Sequence, residues 1–179
     1  MNNETNTAPT SKKNDFFELL RFAIITLLIV IPIRMFIAQP FIVNGESMVP
    51  TFGNGDYLII DEISYRTGEP QRGEVVVFRF PSEPKRFLIK RVIGLPGETV
   101  QISGDSISIT REGEDTLELD EYYLENDFSS YGTWVLGEDE YFVLGDNRNA
   151  SSDSRSWGVR TRDHIVGKTF LRLFPLSGI

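Results

Sequence analysis

Ser47 is a candidate nucleophile, in the stretch NGESMVPTF at residues 44–52. A serine that follows a glycine is also typical of a turn in which the hydroxyl bonds a nearby backbone amide. Two familiar arrangements of a catalytic serine do not fit. The nucleophile elbow G-x-S-x-G needs glycine where this chain has Val49. A Ser-His-Asp triad needs a histidine base, and the single histidine, His164, precedes an apolar strand pattern and is interpreted as a surface residue. A catalytic Ser47 therefore needs a base of another type.

Lys90 is the candidate base, within RFLIKRVIGLPGE at residues 86–98. An ordinary lysine titrates at about 10.4, so a lysine base must be buried until its pKa falls by several units. The apolar run predicts a strand, in which Lys90 and Arg91 point to opposite faces that are both apolar. The guanidinium of Arg91 stays protonated and cannot act as a base, which favours Lys90. The alternative is a strand lysine that snorkels its amine to solvent.

A third informative stretch is a polar loop, within YFVLGDNRNASSDSRSWG at residues 141–158. Acidic and basic residues alternate in it: Asp146, Arg148, Asp153 and Arg155. Its composition is typical of a solvated loop. The alternative is a rigid loop held by ion pairs, whose serine hydroxyls orient a neighbouring amine.

Composition excludes several other kinds of site. The chain has no cysteine, which excludes disulfides, cysteine-ligated zinc and a thiol nucleophile. With only one histidine as well, a catalytic zinc site is not expected, and neither a metal nor a cofactor is predicted. Residues 44–179 carry fourteen Lys and Arg against twenty-three Asp and Glu, an acidic balance that argues against nucleic acid as a partner.

An apolar run, FAIITLLIVIPIRMFIAQPFIV at residues 22–43, precedes these motifs. Its length is close to the roughly 20 apolar residues of a membrane-spanning helix, and it predicts a transmembrane anchor over residues 16–40 after a disordered tail at residues 1–15. A cleaved secretory signal is one alternative, but the exit region lacks the small residues that a cleavage site requires. A buried core helix is another, and the apolar character on all sides argues against it.

Basic residues predict the orientation of this anchor. Lys12, Lys13 and Arg21 precede the apolar run, whereas residues 35–65 contain no lysine or arginine. By the positive-inside rule the N-terminus is cytoplasmic and the acidic part of the chain lies outside. Ser47 follows the run so closely that it is expected within about 13 Å of the apolar boundary.

Residues 41–179 are predicted to form an extracytoplasmic, β-rich domain. Short β-rich runs alternate with turn residues along this region, which is typical of an antiparallel β fold. The clearest hairpin is TVQISGDSISIT at residues 99–110, where Gly104 and Asp105 suit a two-residue type II′ turn.

Four stretches together resemble the bacterial-type type I signal peptidases, a family of serine proteases with a Ser-Lys dyad. SMVPT, residues 47–51, is similar to the nucleophile box of the family, and RGEVVVF, residues 72–78, to its strand box. IKRVIGLPGE, residues 89–98, is similar to the lysine box, and GDNRNASSDSR, residues 145–155, resembles the most distinctive signature. The resemblance covers the anchor and nearly all of the outer domain. It implies a mainly β, antiparallel signal-peptidase-like fold preceded by one N-terminal transmembrane helix.

The resemblance also implies an activity, that of a membrane-bound serine endopeptidase that removes N-terminal signal peptides from exported preproteins through an acyl-enzyme. Its partners would be preprotein signal peptides and the lipid bilayer, at the plasma membrane or a comparable one. Two rival functions stay open. A self-processing Ser-Lys peptidase would share the dyad and the β fold but lack an anchor. A non-catalytic, membrane-anchored β module would need neither Ser47 nor Lys90.

Carried over residue by residue, the resemblance assigns Ser47 as the nucleophile and Lys90 as the general base. Ser151 would orient the lysine amine through a hydrogen bond, and Asp153 and Arg155 would form a supporting ion pair. The same loop contributes two further supporting positions, Gly145 and Asp146.

For the oxyanion hole, the resemblance implies the backbone N–H of Ser47. Some members of the family carry a serine two residues before the nucleophile as a second donor. This chain has Gly45 there, which offers no side-chain donor, so the second donor is unassigned. Small residues of the substrate, three positions and one position before the cut, would bind in shallow apolar pockets. Four residues near the nucleophile or the lysine are candidates for contacting the substrate: Phe41, Val43, Met48 and Ile89.

Overall fold

The protein is described over residues 12–32, 39–80 and 83–175 in a computed structural model. Helix α1, Lys12–Pro32, comes first, and two four-residue helices lie among the strands that follow: α2, Ser64–Thr67, and α3, Ser154–Trp157. In chain order the strands are β1 (Gln39–Ile42), β2 (Tyr57–Asp61), β3 (Val75–Phe80), β4 (Glu83–Gly94), β5 (Glu98–Gly104), β6 (Ser106–Arg111), β7 (Leu117–Glu118), β8 (Ser130–Val135), β9 (Glu140–Leu144), β10 (Arg160–Thr161) and β11 (Ile165–Phe174).

These strands form two sheets in which neighbouring strands are antiparallel. One sheet has seven strands in the order β1-β2-β11-β3-β4-β9-β10, and the other has four in the order β7-β6-β5-β8. The predicted mainly β, antiparallel fold is therefore confirmed. Strand β4 joins the two sheets, because a turn at residues 95–97 leads from it directly into β5.

Hydrophobic patterning explains where each strand lies. Residues 75–78 of β3, with the sequence VVVF, are all buried, so both faces of this part of the strand are covered by other parts of the protein. Strand β2 instead alternates, with Leu58 and Ile60 buried and Tyr57 exposed. One core cluster packs beneath the β1–β2 connection and supports the site described below; its buried members are Val43, Leu58, Ile60 and Val77.

The predicted hairpin forms between β5 and β6. Ser103 pairs with Ser106, which leaves Gly104 and Asp105 as a two-residue loop. Gly104 has φ +70°, and no non-glycine residue in the described ranges has a positive φ. A positive φ at the first loop position alone is the pattern of the predicted type II′ turn.

The N-terminal region is described in part. Helix α1 begins at Lys12, within the region predicted as a disordered tail, and its described part ends at Pro32. Residues 1–11 of the predicted tail and residues 33–38 of the predicted anchor lie outside the described residues. The last two residues predicted for the anchor, at positions 39 and 40, belong to β1. Of the helices in the described ranges, none combines the length and apolar character that crossing a membrane requires.

Candidate active site

Ser47 and Lys90 meet in the folded chain although they are 43 residues apart. Ser47 lies in the connection between β1 and β2, and Lys90 lies in β4. The distance from Lys90 Nζ to Ser47 Oγ is 2.6 Å, and Lys90 Nζ also donates a hydrogen bond of 2.9 Å to the carbonyl of Ile89. The hydroxyl and the amine are thus placed for direct proton transfer.

Lys90 is buried, with 2% of its surface exposed. Burial lowers the pKa of Lys90 from 10.5 to about 8, although the nearby carboxylates of Asp153 and Asp146 act in the opposite direction. Near neutral pH about a tenth of the molecules then carry a neutral amine, compared with about one in three thousand for an ordinary lysine. The strand lysine therefore does not snorkel to solvent, and its environment favours the form that can accept a proton.

The turn before Ser47 has a defined conformation. Gly45 has φ +99°, a left-handed conformation that favours glycine, and its N–H donates a hydrogen bond of 2.9 Å to Asn54 Oδ1. Gly45 therefore has neither a side chain nor a free N–H for an oxyanion. By contrast, the N–H of Ser47 donates no hydrogen bond to any residue that the structure describes.

The polar loop after β9 packs directly against this turn. The N–H of Asn147 donates a hydrogen bond of 3.0 Å to the carbonyl of Ser47. At Gly145 a Cβ would lie 2.5 Å from the same carbonyl oxygen and 2.2 Å from Ser151 Oγ, so no larger residue fits without displacing the loop. The glycine is needed here because the two backbone segments approach so closely.

Ser151 does not form the hydrogen bond to Lys90 that the family resemblance implies. The buried Oγ of Ser151 has no hydrogen-bond partner among the described residues, and the partners of the Lys90 amine are Ser47 and Ile89. Ser151 instead packs against Gly145. The amine is oriented by the Ser47 hydroxyl and by the backbone of its own strand.

The ion pair expected between Asp153 and Arg155 is present. Arg155 Nε lies 2.8 Å from Asp153 Oδ1, and Arg155 Nη2 lies 2.9 Å from Asp153 Oδ2. Asp153 is fully buried, and its carboxylate also accepts a hydrogen bond of 3.2 Å from the N–H of Gly145. The pair therefore fixes the loop segment that contacts the Ser47 turn. A buried carboxylate with these partners is a structural support rather than a reacting group.

A second ion pair, between Arg91 and Asp146, was not expected from the sequence. Arg91 Nε lies 2.8 Å from Asp146 Oδ1, and Arg91 Nη2 lies 2.5 Å from Asp146 Oδ2. Thr51 Oγ1 donates a further hydrogen bond of 2.5 Å to Asp146 Oδ2. The three residues tie together β4, the polar loop and the turn that carries Ser47. Strand alternation already placed Arg91 on the face opposite Lys90, and that signal would have allowed a search for its partner.

Arg148 of the polar loop has a structural role too. It is buried and forms a two-pronged ion pair with Glu121, one contact of which is 2.8 Å, while its Nε donates to the carbonyl of Gly145. Glu121 lies in the connection between β7 and β8, so this pair fastens the loop to a segment that joins two strands of the second sheet. The loop is therefore held by ion pairs and is not merely solvated.

A mainly apolar cleft opens beside the Ser47–Lys90 pair. Three of the predicted substrate contacts line it: Phe41, Val43 and Ile89. The fourth prediction is wrong, because Met48 is 0% exposed and is packed in the interior, where no substrate can reach it. Six further lining residues were not predicted: Ile42, Asn44, Leu58, Val77, Phe87 and Leu88.

The histidine lies outside this arrangement. His164 is half-buried just before β11, and its Nδ1 lies 2.8 Å from Thr161 Oγ1. It does not line the cleft. The site is thus a serine and a lysine supported by two ion pairs, with no histidine base.

The chain is similar to proteins described as signal peptidases. The family model described as "Signal peptidase, peptidase S26" matches residues 16–174. "Probable signal peptidase I-2" from a Synechocystis species is 38% identical over 183 residues, covering 95% of this chain and 81% of that protein. "Signal peptidase I P" from Bacillus subtilis subsp. natto is 34% identical over 178 residues, covering 94% of each. A crystal structure of a signal peptidase I from Enterococcus faecalis V583 matches with 31% identity and a TM-score of 0.43, covering 56% of this chain and 97% of that one.

Proposed function

The chain belongs to the signal peptidase family, peptidase S26, serine endopeptidases that remove signal peptides, and we propose that Ser47 and Lys90 perform this hydrolysis here. The observation that carries the assignment is the 2.6 Å contact between Ser47 Oγ and the buried Lys90 Nζ. A hydroxyl becomes a competent nucleophile when an adjacent base takes its proton, and the neutral amine of Lys90 can be that base.

In the acylation step, Ser47 Oγ attacks the scissile carbonyl carbon and gives its proton to Lys90 Nζ. The carbonyl electrons move to the oxygen, and the N–H of Ser47 donates a hydrogen bond to the resulting oxyanion. Collapse of this intermediate breaks the C–N bond. The ammonium of Lys90 returns the proton to the leaving amine, which becomes the N-terminus of the mature protein.

In the deacylation step, water attacks the ester that joins the signal peptide to Ser47. Lys90, neutral again, takes a proton from the water and then protonates Ser47 Oγ as the ester C–O bond breaks. The products are the free signal peptide and the regenerated enzyme. One lysine thus acts in turn as base and acid in both halves of the reaction.

The supporting residues act through position. The Asp153–Arg155 and Arg91–Asp146 pairs hold the polar loop and the Ser47 turn together, which keeps the hydroxyl within reach of the amine. Such preorganisation matters because a displacement of about 1 Å in a catalytic group can lower the rate by about a hundredfold. Ser151 belongs to this supporting shell through its packing against Gly145.

The substrate would bind in the cleft as an extended strand. Two strand edges border it: β1, which pairs only with β2 among the described strands, and the part of β4 before Arg91, where described pairing with β9 begins. An added strand can hydrogen-bond to such an edge while alternate side chains enter pockets. The hydrocarbon side chains of the cleft suit small apolar residues of the preprotein.

We expect cleavage to depend on small substrate residues at this site. Purified protein in detergent should cut a preprotein with alanine three positions and one position before the junction. A preprotein with phenylalanine one position before it should show kcat/KM lowered at least about a hundredfold, because the pockets that the family resemblance implies are shallow and suit small side chains. Gel analysis gives the cleavage rates, and mass spectrometry of the mature protein identifies the peptide bond that was cleaved.

Equal cleavage of both preproteins, or cleavage at scattered positions, would contradict the assignment of the cleft. A self-processing peptidase would cut its own chain and leave the added preprotein intact, so the same gels separate that rival. A non-catalytic module would leave both preproteins intact.

We further propose that the N-terminal apolar region anchors the chain in a membrane, with the N-terminus cytoplasmic. Support comes from the sequence of residues 22–43 and from α1, whose large apolar side chains are exposed on all sides, among them Phe17, Phe22 and Leu28. Apolar residues without a protein partner are stabilised by contact with lipid. The positive-inside rule sets the orientation.

Labelling tests the anchor cleanly, because the chain has no native cysteine. In intact cells, a membrane-impermeant maleimide should label Asn126→Cys in the outer domain and leave Asn6→Cys unlabelled until the membrane is permeabilised. Both variants should stay with the membrane after alkaline carbonate washing. The opposite labelling pattern would reverse the orientation, and release by carbonate would show that the region does not span the bilayer.

A further inference from the structure

An oxyanion formed at Ser47 calls for more than one donor, and the position that supplies the second donor in some family members is Gly45 in this chain. Rate enhancement in acyl transfer depends on preorganised donors aimed at the developing negative charge, commonly two or more. Gly45 cannot supply one, because it has no side chain and its N–H is bonded to Asn54. A side chain at position 45 would also be strained, since φ there is +99°. The second donor must come from elsewhere.

Asn44 lines the same cleft as Ser47 and Lys90. Among the described side chains that line it, only these three carry hydrogen-bonding groups, and the others are hydrocarbon. The left-handed turn at Gly45 separates Asn44 from Ser47 and lets both border one cavity.

The Asn44 amide is free to turn toward a substrate. It is exposed, and its Nδ2 donates a single hydrogen bond of 3.4 Å to the carbonyl of Ile42. A contact of that length in solvent is weak, and a side-chain amide has two N–H groups to donate. If Nδ2 turns to donate to a reacting group in the cleft, only this weak hydrogen bond to the Ile42 carbonyl is lost.

We propose that Asn44 is a catalytic residue whose side-chain amide donates a hydrogen bond to the oxyanion of the tetrahedral intermediates at Ser47. The inference rests on the proposed function of the Ser47–Lys90 pair. When the Ser47 Oγ–C bond forms, the carbonyl electrons move to the oxygen, and Asn44 stabilises that charge alongside the N–H of Ser47 without transferring a proton. A neutral amide suits the position because an added charge there would alter the pKa of the nearby lysine.

Kinetics of Asn44→Ala and Asn44→Asp test this role, with Asn126→Ala as a matched control on an exposed loop of the second sheet. With the alanine-containing preprotein as substrate, Asn44→Ala should lower kcat by about 10² to 10³ and leave KM within about threefold. Asn44→Asp keeps the shape of the side chain, but its carboxylate accepts hydrogen bonds where a donor is needed. Its kcat should therefore be lowered at least as much as that of Asn44→Ala. Asn126→Ala should match the wild type.

A second measurement separates an oxyanion donor from a residue that only positions the substrate. A peptide aldehyde forms a tetrahedral adduct with a serine hydroxyl, whereas the cleaved signal peptide binds without one. Asn44→Ala should weaken the affinity for the aldehyde by about the same factor as it lowers kcat, since both depend on the oxyanion, and leave the affinity for the peptide unchanged.

Three results would overturn the inference. The first is kcat for Asn44→Ala within about threefold of an active wild type, which would leave the proposed function standing. The second is equal weakening of aldehyde and peptide, which would make Asn44 a substrate-positioning residue. The third is a wild type that does not cleave the preprotein, which would remove the proposed function and this role with it.

Discussion

Replacing Ser47 with alanine should lower kcat for preprotein cleavage by about 10⁴ to 10⁶, the range found when a serine protease loses its nucleophile. Without the hydroxyl no acyl-enzyme can form, and Lys90 has only water to activate. Substrate binding should be preserved, because the cleft is built mainly from hydrocarbon side chains that the substitution does not touch. The measurement is single-turnover cleavage of the alanine-containing preprotein, with the Kd of the uncleaved substrate measured in parallel.

Ser152 offers the matched control. It is exposed in the polar loop and does not line the cleft, so Ser152→Ala should cleave at the wild-type rate. A Ser47→Ala variant that still cuts at more than about a hundredth of the wild-type rate would rule out Ser47 as the nucleophile. Loss of cleavage with equal loss of substrate binding would instead indicate that the turn has unfolded, which the melting temperature would reveal.

Chemical reasoning from the sequence identified Ser47 and Lys90 as candidates, and the resemblance to the signal peptidases assigned them as a dyad. A chain with one histidine and no cysteine pointed to a serine with a base other than histidine, and Lys90 lies in the middle of an apolar run that predicted a strand. Alternating apolar residues also predicted most of the strands, and the pair Gly104 and Asp105 predicted the hairpin turn. The strand and hairpin predictions are confirmed because they depend on local pattern. The structure brings Ser47 and Lys90 within 2.6 Å of each other, and their catalytic roles stay a prediction.

Features that depend on how the two loops meet could not be predicted in the same way. Met48 follows Ser47 directly in the sequence and was predicted to contact the substrate, yet its side chain is buried in the core. Ser151 lies against Gly145 because the polar loop approaches the Ser47 carbonyl closely, a distance that no local pattern encodes. The same holds for the pairing of Arg91 with Asp146, whose positions are 55 residues apart.

The buried environment of Lys90 links structure to pH dependence. A base must be neutral to accept a proton, and the neutral fraction of a lysine rises with pH up to its pKa. Because burial lowers the pKa of Lys90 to about 8, the plot of kcat/KM against pH should rise about tenfold per pH unit below that value and level off near it. This rising part of the profile is its ascending limb. An exposed lysine would place the ascending limb more than about two pH units higher.

Replacing Lys90 should remove both the activity and this limb. Lys90→Met fills the same buried space without a base, and Lys90→Arg keeps a positive charge that stays protonated at any working pH. Each should lower kcat/KM by about 10³ to 10⁴ and leave a residual rate without the ascending limb at about pH 8. Lys85→Arg, an exposed position on the same strand, is the control and should keep both the rate and the limb. A limb that persists in Lys90→Met would mean that another group is the base, because the residue removed could no longer produce it.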